Sequence, residues 1–397
     1  MAELKFTKSF TQQESIPREG IVKAIKIMQT GRLHRYNIDP DEQSQASLLE
    51  AEFAKWQETE FCLACTSGGY AIQLALRVCG VKSGDKVLAN AYTLAPVPGA
   101  IQNVGAEPIF VEIDENYHID INDLTHKVKE SGAKYLLLSH MRGHIVDMDK
   151  ITSICNNFGI KLIEDCAHTM GAKWGDVRSG NFGLVAAFST QTYKHLNSGE
   201  GGFLITNDPE IAAKAVVSSG SYMLYARHGA IPAERVFRKV RQNAPNYSGR
   251  MDQIRASLLR AQLPNLENNI RRWNTLYDFL FSGLSAINGV TIPKRVESEF
   301  YVGSSIQFRT EGIKKENIPD FVKSCSRRGV DLKWFGDKEP KAFTSRYDSW
   351  SYIKNVPVLS NTLLILDTTL DMRIPLTFTL KDCSIIIKVI QNEIAKF

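Results

Sequence analysis

Short apolar runs alternate with amphipathic segments through the first two thirds of the chain. Seven of these runs are rich in Val, Ile, Leu and Ala, and segments with helical spacing separate most of them. Alternation of this kind is typical of a mainly parallel sheet that helices cover on both faces, so the pattern predicts an α/β fold. The predicted strands are 61–65, 86–90, 107–113, 135–139, 161–164, 186–189 and 202–206.

Amphipathic segments flank this core and divide the chain. Residues 21–28 predict a helix that ends at Gly31, residues 44–58 predict a second helix, and residues 251–279 predict one long helix whose arginines form a solvated face. After about residue 282 the pattern changes to shorter pieces, which predict a smaller α+β domain. We therefore expect an N-terminal segment (1–36), a large domain (37–279) and a small C-terminal domain (280–397).

Composition agrees with a cytoplasmic enzyme. The 397 residues are 43% hydrophobic and 23% charged, as in ordinary globular proteins. No apolar run is long enough for a membrane span, and the first ten residues lack the apolar core of a signal peptide. The net charge of +5 is spread along the chain without a basic stripe, which argues against nucleic acid as a partner.

The cysteines predict no metal site. All seven fall in apolar stretches, as expected for reduced core residues of a cytosolic protein. Cys62 and Cys65 form a CxxC pair, but no second pair or histidine lies at zinc spacing.

Lys194 is the first candidate for chemistry. It lies between two apolar runs, 184–188 and 203–205, and precedes a Gly-Glu-Gly-Gly turn. A loop lysine in this place is either solvated or the Schiff-base lysine that holds an aldehyde cofactor among small residues.

Two further stretches favour the second interpretation. Asp165 ends an apolar strand, where it is either a helix cap or the carboxylate partner that a pyridine nitrogen needs. Ser67, Gly68 and Gly69 form a turn that opens an amphipathic helix, and uncrowded amides at a helix N-terminus bind phosphate. Together the three stretches have the parts of a pyridoxal phosphate site.

In this order the motifs resemble those of the DegT/StrS-type sugar aminotransferases, over about residues 21–279. The EDCAH box and the lysine box with its GEGG turn are the most specific, and the loop 139–149 resembles that family's HLYGxxADMD loop. The matching stretches are SGGYAI at Ser67, AYTL at Ala91, GAEPIFVEID at Gly105, EDCAH at Glu164, FSTQTYKHLNSGEGG at Phe188 and SGRMDQIRASLLRAQL at Ser248.

The resemblance implies an aspartate-aminotransferase-like (fold type I) enzyme, with a mainly parallel seven-stranded sheet and pyridoxal 5'-phosphate as cofactor. It makes Lys194 and Asp165 catalytic, and it implies a homodimer with shared active sites. Three positions depart from the family pattern: Gly69 replaces a Thr or Ser, Leu94 replaces a stacking aromatic residue, and Ser248 replaces an Asn, with Asn246 close by. The implied cofactor-binding residues are Ser67, Gly68, Gly69, Leu94, Asp165, His168, Ser189, Gln191, Lys194 and Ser248.

Basic residues in segments that border the family's active site suggest an anionic acceptor. We expect a nucleotide-linked keto or aldehyde sugar, or alternatively an oxidised sugar acid such as an octulosonate. The resemblance implies glutamate as amino donor and a role in cell-surface polysaccharide or secondary-metabolite biosynthesis. The substrate-contact candidates are His34, Arg35, Tyr36, Arg142, Arg227 and His228.

Three other functions stay open at this point. A dehydratase of the same family carries His in place of the lysine; Lys194 argues against this, although His195 is its neighbour. A regulator that binds the cofactor without catalysis is disfavoured by the intact Asp165 and Lys194. The third alternative is a GEGG anion-binding module without pyridoxal chemistry.

Overall fold

The computed structural model describes residues 4–39 and 41–397; residues 1–3 of the expected N-terminal segment and residue 40 of the expected large domain lie outside the described residues. The α-helices are α1 (Arg18–Thr30), α2 (Gln45–Gln57), α3 (Gly68–Val78), α4 (Pro96–Asn103), α5 (Ile121–Ser131), α6 (Met148–Phe158), α7 (Pro209–Ser218), α8 (Glu234–Val240), α9 (Gln253–Gln262), α10 (Leu266–Ser285), α11 (Ile318–Arg327), α12 (Ser360–Leu366) and α13 (Leu380–Ile394). The strands are β1 (Phe61–Cys65), β2 (Lys86–Asn90), β3 (Glu107–Val111), β4 (Tyr135–Ser139), β5 (Lys161–Asp165), β6 (Lys173–Trp174), β7 (Val177–Arg178), β8 (Val185–Ser189), β9 (Gly202–Thr206), β10 (Val290–Thr291), β11 (Glu299–Phe300), β12 (Ser305–Thr310), β13 (Lys333–Trp334) and β14 (Thr369–Arg373).

A seven-stranded sheet forms the centre of the molecule, in the order β1-β9-β8-β5-β4-β2-β3. The five strands from β8 to β3 are parallel, whereas β9 and β1 join as antiparallel strands. The predicted mainly parallel sheet is therefore confirmed. Because the carboxyl ends of parallel strands share one edge, Ser139 at the end of β4 lies directly opposite Asp165 at the end of β5.

Helix bounds follow local signals closely, with one exception. Helix α1 ends where Gly31 adopts a positive φ of 68°, and Ser44 caps α2 by accepting a hydrogen bond from the amide of Ser47. The prediction of one helix over 251–279 is wrong: α9 and α10 are separated by a 3-10 turn, Leu263–Asn265, which contains Pro264. Proline lacks the N–H that a continuous helix needs.

The arginines of α9 and α10 are also more constrained than a solvated face. Arg260 donates to Glu52 of α2 at 2.5 and 2.8 Å, and Arg272 donates to Glu14 at 2.7 and 2.9 Å. These bonds attach α2 to helix α9 and the N-terminal segment to helix α10.

The last third of the chain forms an antiparallel sheet in the order β10-β12-β14-β13. Helix α13 packs against both α10 and α11 in this part of the chain. This arrangement matches the expected α+β composition. Helix α10 continues to Ser285, beyond the expected boundary at residue 279, and one hydrophobic cluster joins Leu88 of the central sheet to Phe308 of the C-terminal sheet. The domain boundaries at 36 and 279 stay predictions.

The structure also bears on what the sequence predicted for the cysteines and for membrane-spanning helices. All seven cysteines are buried free thiols, as expected for core residues. Among the helices of residues 4–39 and 41–397, none is both long and apolar enough to span a bilayer.

Candidate active site

Lys194 lies on the connection between β8 and β9, as its flanking apolar runs predicted. Hydrogen bonds within the connection fix the lysine backbone: the amide of Lys194 donates to the carbonyl of Gln191 at 2.8 Å. The Lys194 Nζ lies 2.7 Å from Nε2 of His168. Burial lowers the pKa of Lys194 to about 7, the positive charge of Arg142 adds to this effect, and the carboxylate of Asp165 opposes it. The amine is therefore a usable nucleophile and base near neutral pH.

His168 is uncharged beside this lysine. Burial holds the pKa of His168 well below its usual range, and the charge of Lys194 lowers it further. An uncharged imidazole can exchange hydrogen bonds with a neighbouring amine or hydroxyl without repelling a protonated lysine.

Asp165 is held at the carboxyl end of β5 by two hydrogen bonds. Its Oδ2 accepts from the hydroxyl of Ser139 at 2.8 Å, and its Oδ1 accepts from the amide of Ala167 at 3.1 Å. Only 7% of its surface is exposed. These bonds fix the orientation of a carboxylate that keeps lone pairs for a ligand.

The adjacent Glu164 has a different task, because side chains alternate across a strand. Its carboxylate accepts from the amides of Gly180, Phe182 and Gly183 at 2.6 to 3.0 Å. It also lies 3.0 Å from Nε2 of His140. The side-chain atoms of Glu164, His140 and Cys166 that could bind a metal ion lie within 4.8 Å of one another. The carboxylate of Glu164 already accepts hydrogen bonds from three backbone amides, so we assign this cluster a structural role.

The Ser-Gly-Gly turn begins α3 on the same side of the sheet. Ser67 caps the helix, since its Oγ accepts from the amide of Tyr70 at 3.0 Å. A Cβ on Gly68 would lie 2.7 Å from Cβ of Ser189, so this glycine lets α3 approach β8. A Cβ on Gly69 would meet nothing closer than 3.9 Å, which leaves room above the first turn. The helix N-terminus and the two serines can hold a phosphate without a charged side chain.

These residues enclose one cavity of about 420 Å³. That volume lies in the range of pockets for cofactors and small ligands. Nine of the ten residues expected to bind the cofactor line it: Ser67, Gly68, Gly69, Leu94, Asp165, His168, Ser189, Gln191 and Lys194.

Ser248 does not line this cavity. It lies on an exposed loop with a positive φ of 53°, and its Oγ donates to the side chain of Asn246 at 3.2 Å. Its predicted contact is with the cofactor of a second subunit, which a single chain does not test.

The C-terminal part of the chain supplies a wall that sequence reasoning missed. Residues 340, 342–345 and 350 line the cavity, and Phe343 contacts Tyr193, the neighbour of Lys194, edge to face with ring centroids 5.7 Å apart. The motif resemblance fades before this segment, and the segment carries no periodic pattern, so the sequence offered no signal for it.

Four substrate-contact candidates lie apart from the cavity, in a cluster around Glu50. Arg35 is fully buried and donates to both carboxylate oxygens of Glu50 at 2.8 Å. His228 lies 3.2 Å from the same carboxylate and 2.7 Å from the hydroxyl of Tyr36. Arg227 donates to the backbone carbonyl of Tyr36 at 2.8 Å. One buried carboxylate therefore binds both Arg35 and His228, so neither is a free cation in this structure.

Electrostatics explains why this cluster can be buried. Burial alone would raise the pKa of Glu50, but Arg35 and His228 outweigh it and hold the carboxyl below its usual range. Burial raises the pKa of Tyr36 to about 12, so its hydroxyl stays protonated. His34 is nearby, packed edge to face on Tyr36, and it does not line the cavity. The roles of His34, Arg35, Tyr36, Arg227 and His228 in substrate binding stay predictions.

Arg142 is the one candidate of this group that lies beside Lys194. It follows β4 with a positive φ of 55° and is 7% exposed. Its Nη2 lies 2.9 Å from Oδ2 of Asp371 on β14. Two more cations approach from the C-terminal sheet, Lys333 and Arg373, and neither was identified from the sequence.

A second, smaller cavity of about 110 Å³ meets Lys194 from another side. Its lining includes His195, Trp273 and residues 13–15 and 17 of the N-terminal segment. Burial lowers the pKa of His195 to about 3, with a further contribution from Lys194, so this histidine is uncharged. Residues 13–15 and 17 of the N-terminal segment thus share a cavity with the lysine, whereas His34 and Tyr36 do not line it.

The residues present fit pyridoxal phosphate, the cofactor that the motif resemblance implies. The cavity combines an amine of low pKa, a fixed carboxylate, an uncharged imidazole and a neutral phosphate cradle. Leu94 lines the wall where an aromatic ring was expected, so its contribution to a bound ring is apolar contact without a π face.

Comparison with known proteins identifies relatives that match most of the chain. The family model described as the DegT/DnrJ/EryC1/StrS aminotransferase family matches residues 38–354. A pleiotropic regulatory protein of Geobacillus stearothermophilus is 30% identical over 281 residues, which are 69% of this chain and 71% of the relative. A dTDP-3-amino-3,4,6-trideoxy-alpha-D-glucose transaminase of Streptomyces venezuelae is 29% identical over 321 residues, 80% of this chain and 78% of the relative.

Among solved structures, the chain is similar to 3-amino-5-hydroxybenzoic acid synthase. The TM-score is 0.84 at 23% sequence identity, and the alignment covers 99% of this chain and 100% of the synthase. At this identity the likeness shows the fold, and the predicted aspartate-aminotransferase-like architecture is confirmed.

Proposed function

Because the chain belongs to the DegT/DnrJ/EryC1/StrS aminotransferase family, we propose that it transfers an amino group to a keto or aldehyde sugar with pyridoxal phosphate as cofactor. The observation that carries this proposal is the pairing of Lys194, with a pKa near 7, and the fixed carboxylate of Asp165 in one cavity with a phosphate cradle.

When bound, pyridoxal phosphate would supply an electron-accepting ring that stabilises negative charge on the substrate carbon. Lys194 would anchor it covalently through Nζ. The carboxylate of Asp165 would favour a protonated ring nitrogen, and Ser67, Gly68, Gly69 and Ser189 would hold the phosphate. His168, 2.7 Å from Nζ, would orient polar groups beside the lysine.

Lys194 also moves protons in this proposal. A group whose pKa lies near the working pH can accept a proton in one half of the reaction and return it in the other. Leu94 and Phe343 border the cavity with apolar surface, which limits the access of water to the reacting atoms.

For the substrates we propose glutamate as amino donor and a nucleotide-linked keto sugar as acceptor. The name of the Streptomyces venezuelae relative supports the acceptor, since that protein is a transaminase of a dTDP-linked sugar. The solved structure with a similar fold is named as a synthase of a benzoic acid. That name supports the alternative, an acidic acceptor such as an oxidised sugar acid. Either product would serve cell-surface polysaccharide or secondary-metabolite biosynthesis in the cytoplasm.

The regulator alternative rests on the name of the Geobacillus stearothermophilus relative. The dehydratase alternative requires a histidine in place of Lys194. This chain has Lys194 at that position, and a generic anion-binding module would not need the aspartate. A regulator that binds the cofactor would use the same cavity, so turnover separates it from the enzyme.

We propose a homodimer with shared active sites. Helix α1 exposes an apolar face at i, i+4 and i+7, formed by Ile21, Ile25 and Met28 with 44%, 44% and 53% of their surfaces exposed. A face of this kind favours burial against a second copy. Ser248 and Arg250 lie on the loop that would reach the partner's phosphate cradle in this arrangement.

Complementation tests the shared site. Mixing Lys194→Ala protein with a Ser248→Ala, Arg250→Ala double variant should restore activity in mixed dimers, because one intact site would form from two halves. A fully active monomer in sedimentation velocity would contradict the arrangement.

The cofactor assignment is tested by borohydride reduction of the loaded protein and peptide mapping. We expect the reduced cofactor on Lys194, and loss of visible absorption and of turnover in Lys194→Ala. Lys214→Ala is the matched control, since Lys214 pairs with Glu210 on the surface at 2.7 Å. A label on another lysine, or turnover in Lys194→Ala, would refute the assignment.

A further inference from the structure

Three cations from distant parts of the chain meet beside Lys194 around a single buried carboxylate. Arg142 comes from the loop after β4, Lys333 from β13 and Arg373 from the end of β14, and we call these three residues the cation cluster. The carboxylate is Asp371, which is fully buried and lies opposite Lys333 in the strand pairing. Asp331 also acts electrostatically on Lys333 and Arg373, so two carboxylates face the three cations.

The contact between Arg142 and Asp371 is close but incomplete. Nη2 and Oδ2 lie 2.9 Å apart, yet these two atoms and Nε of Arg142 are buried without an aligned hydrogen-bond partner among the described residues. The other oxygen of Asp371 accepts from Nε2 of Gln307 at 2.7 Å. Buried guanidinium donors without aligned acceptors are costly, and a ligand oxygen placed here would complete those of Arg142.

Neither Arg373 nor Lys333 forms an ion pair in the part of the chain that the structure describes, although the charges of Asp371 and Asp331 act on both. Instead, the guanidinium of Arg373 stacks on Tyr193 at 3.8 Å from the ring centroid, and it lies 5.8 Å from the ring of Phe343. Lys333 Nζ lies 5.5 Å from the same Phe343 ring. Aromatic faces orient these cations without neutralising them, so their charge is available to a bound anion.

The cation cluster adjoins the cavity of the active site. Phe343 lines that cavity and also contacts the cluster, and Tyr193 joins the cluster directly to Lys194. Arg142 and Arg373 both act electrostatically on Lys194. An anion held here would lie close to the reacting nitrogen.

We propose that the cation cluster binds a carboxylate that lies within a few bonds of the carbon that reacts at Lys194. Guanidinium groups pair with carboxylates through two parallel hydrogen bonds, which suits an acid held in one orientation. The diphosphate of a nucleotide sugar is attached through the anomeric oxygen and lies further from the carbonyl carbon than a carboxylate on the neighbouring carbon does. This inference rests on the proposed aminotransferase function and narrows its substrate class.

Two substrates could carry such a carboxylate. One is the amino-acid donor, whose carboxylate is attached to the carbon that bears the amino group. The other is a sugar-acid acceptor with its carboxylate near the carbonyl. The chemistry recognised by the cluster is the same, so the experiment must separate the two sources.

The experiment is calorimetric titration of the cofactor-loaded protein with two unreactive acids. Succinate stands for the donor and gluconate for a sugar-acid acceptor, each beside its neutral counterpart, succinamide or sorbitol. At least one acid should bind, and Arg373→Met should weaken it by about 10- to 100-fold, the loss expected for charge-assisted hydrogen bonds. Arg309→Met is the matched control, because Arg309 lies on the neighbouring strand β12 and donates to the carbonyl of Glu115 at 2.8 Å.

The outcomes show whether the bound carboxylate belongs to the amino donor or to the acceptor, and they distinguish failure of this inference from failure of the aminotransferase proposal. Weakened succinate binding assigns the cluster to the donor, and weakened gluconate binding assigns it to the acceptor. If neither acid binds, or if Arg373→Met and Lys333→Met both bind as tightly as wild type, the inference is overturned. Lys333→Met decides the question should Arg373→Met fail to fold. Failure of the aminotransferase proposal would differ, because the protein would then form no cofactor bond at Lys194.

Discussion

The pKa of Lys194 makes a prediction that depends on pH and can be measured before any sugar is identified. Burial lowers this pKa from 10.5 to about 7, with a contribution from Arg142. Because the shift is downward for a lysine, the amine is uncharged and reactive above pH 7 and protonated below it. Capture of pyridoxal phosphate by the cofactor-free protein should therefore accelerate up to about pH 7 and then level off.

The size of the effect follows from the two pKa values. At pH 8, about 90% of a lysine with a pKa of 7 is free amine, against roughly 0.3% of an unperturbed one. The reactive fraction is thus larger by about 300-fold. Two variants should move the profile in opposite directions: Arg142→Met raises the midpoint by removing a positive charge, and Asp165→Asn lowers it by removing a negative one.

The assay is stopped-flow absorbance of cofactor capture from pH 6 to 10, corrected with a lysine peptide for the ionisation of pyridoxal phosphate itself. Arg309→Met should leave the midpoint unchanged. A rate that climbs about tenfold per pH unit up to pH 10 would show an ordinary lysine. A midpoint that stays the same in both charge variants would show that Arg142 and Asp165 do not set the pKa.

Three further predictions concern single residues. Glu50→Gln should destabilise the protein by about 3–5 kcal/mol in denaturant unfolding, because Arg35 loses its buried partner; Glu52→Gln, which removes a surface ion pair, should cost less than about 1 kcal/mol. Gly68→Ala should weaken cofactor affinity on the order of 10-fold, since the added Cβ would lie 2.7 Å from that of Ser189, whereas Gly69→Ser enters open space and should bind at least as tightly in an equilibrium titration. Asp165→Ala should lose far more turnover than cofactor occupancy, because its main effect is electronic; equal losses in activity and spectral assays would contradict that role.

The sequence predicted the central sheet well, because its strands are short apolar runs bounded by turns. The bounds of β1, β2, β4 and β9 agree with the predicted residues, and β5 extends one residue further, to include Asp165. Local pattern failed at residues 251–279, where continuous amphipathicity concealed the break at Pro264. Periodicity records which face is buried, whereas a missing backbone donor interrupts the helix without changing that face.

In the candidate site, too, some residues could be predicted from the sequence and others could not. Residues that hold the cofactor come from motifs at strand ends and helix starts, so their chain order was enough to bring Lys194, Asp165 and Ser67 together. Charged residues were harder to assign, since their partners lie far away in sequence. Arg35 forms a buried ion pair with Glu50, which neutralises its charge. Arg373, on the last strand of the chain, stacks on the ring of Tyr193. No local pattern distinguishes an arginine with a buried partner from one without.

A single-turnover spectrum tests the central claim most directly. Cofactor-loaded protein is mixed with glutamate in the absence of acceptor, and absorbance and 2-oxoglutarate are followed together. The account predicts loss of visible absorption with about one 2-oxoglutarate per Lys194, recovery of the absorption when a keto sugar is added, and neither change in Lys194→Ala. Visible absorption that persists with every amino acid tried, or 2-oxoglutarate formed by Lys194→Ala, would contradict it.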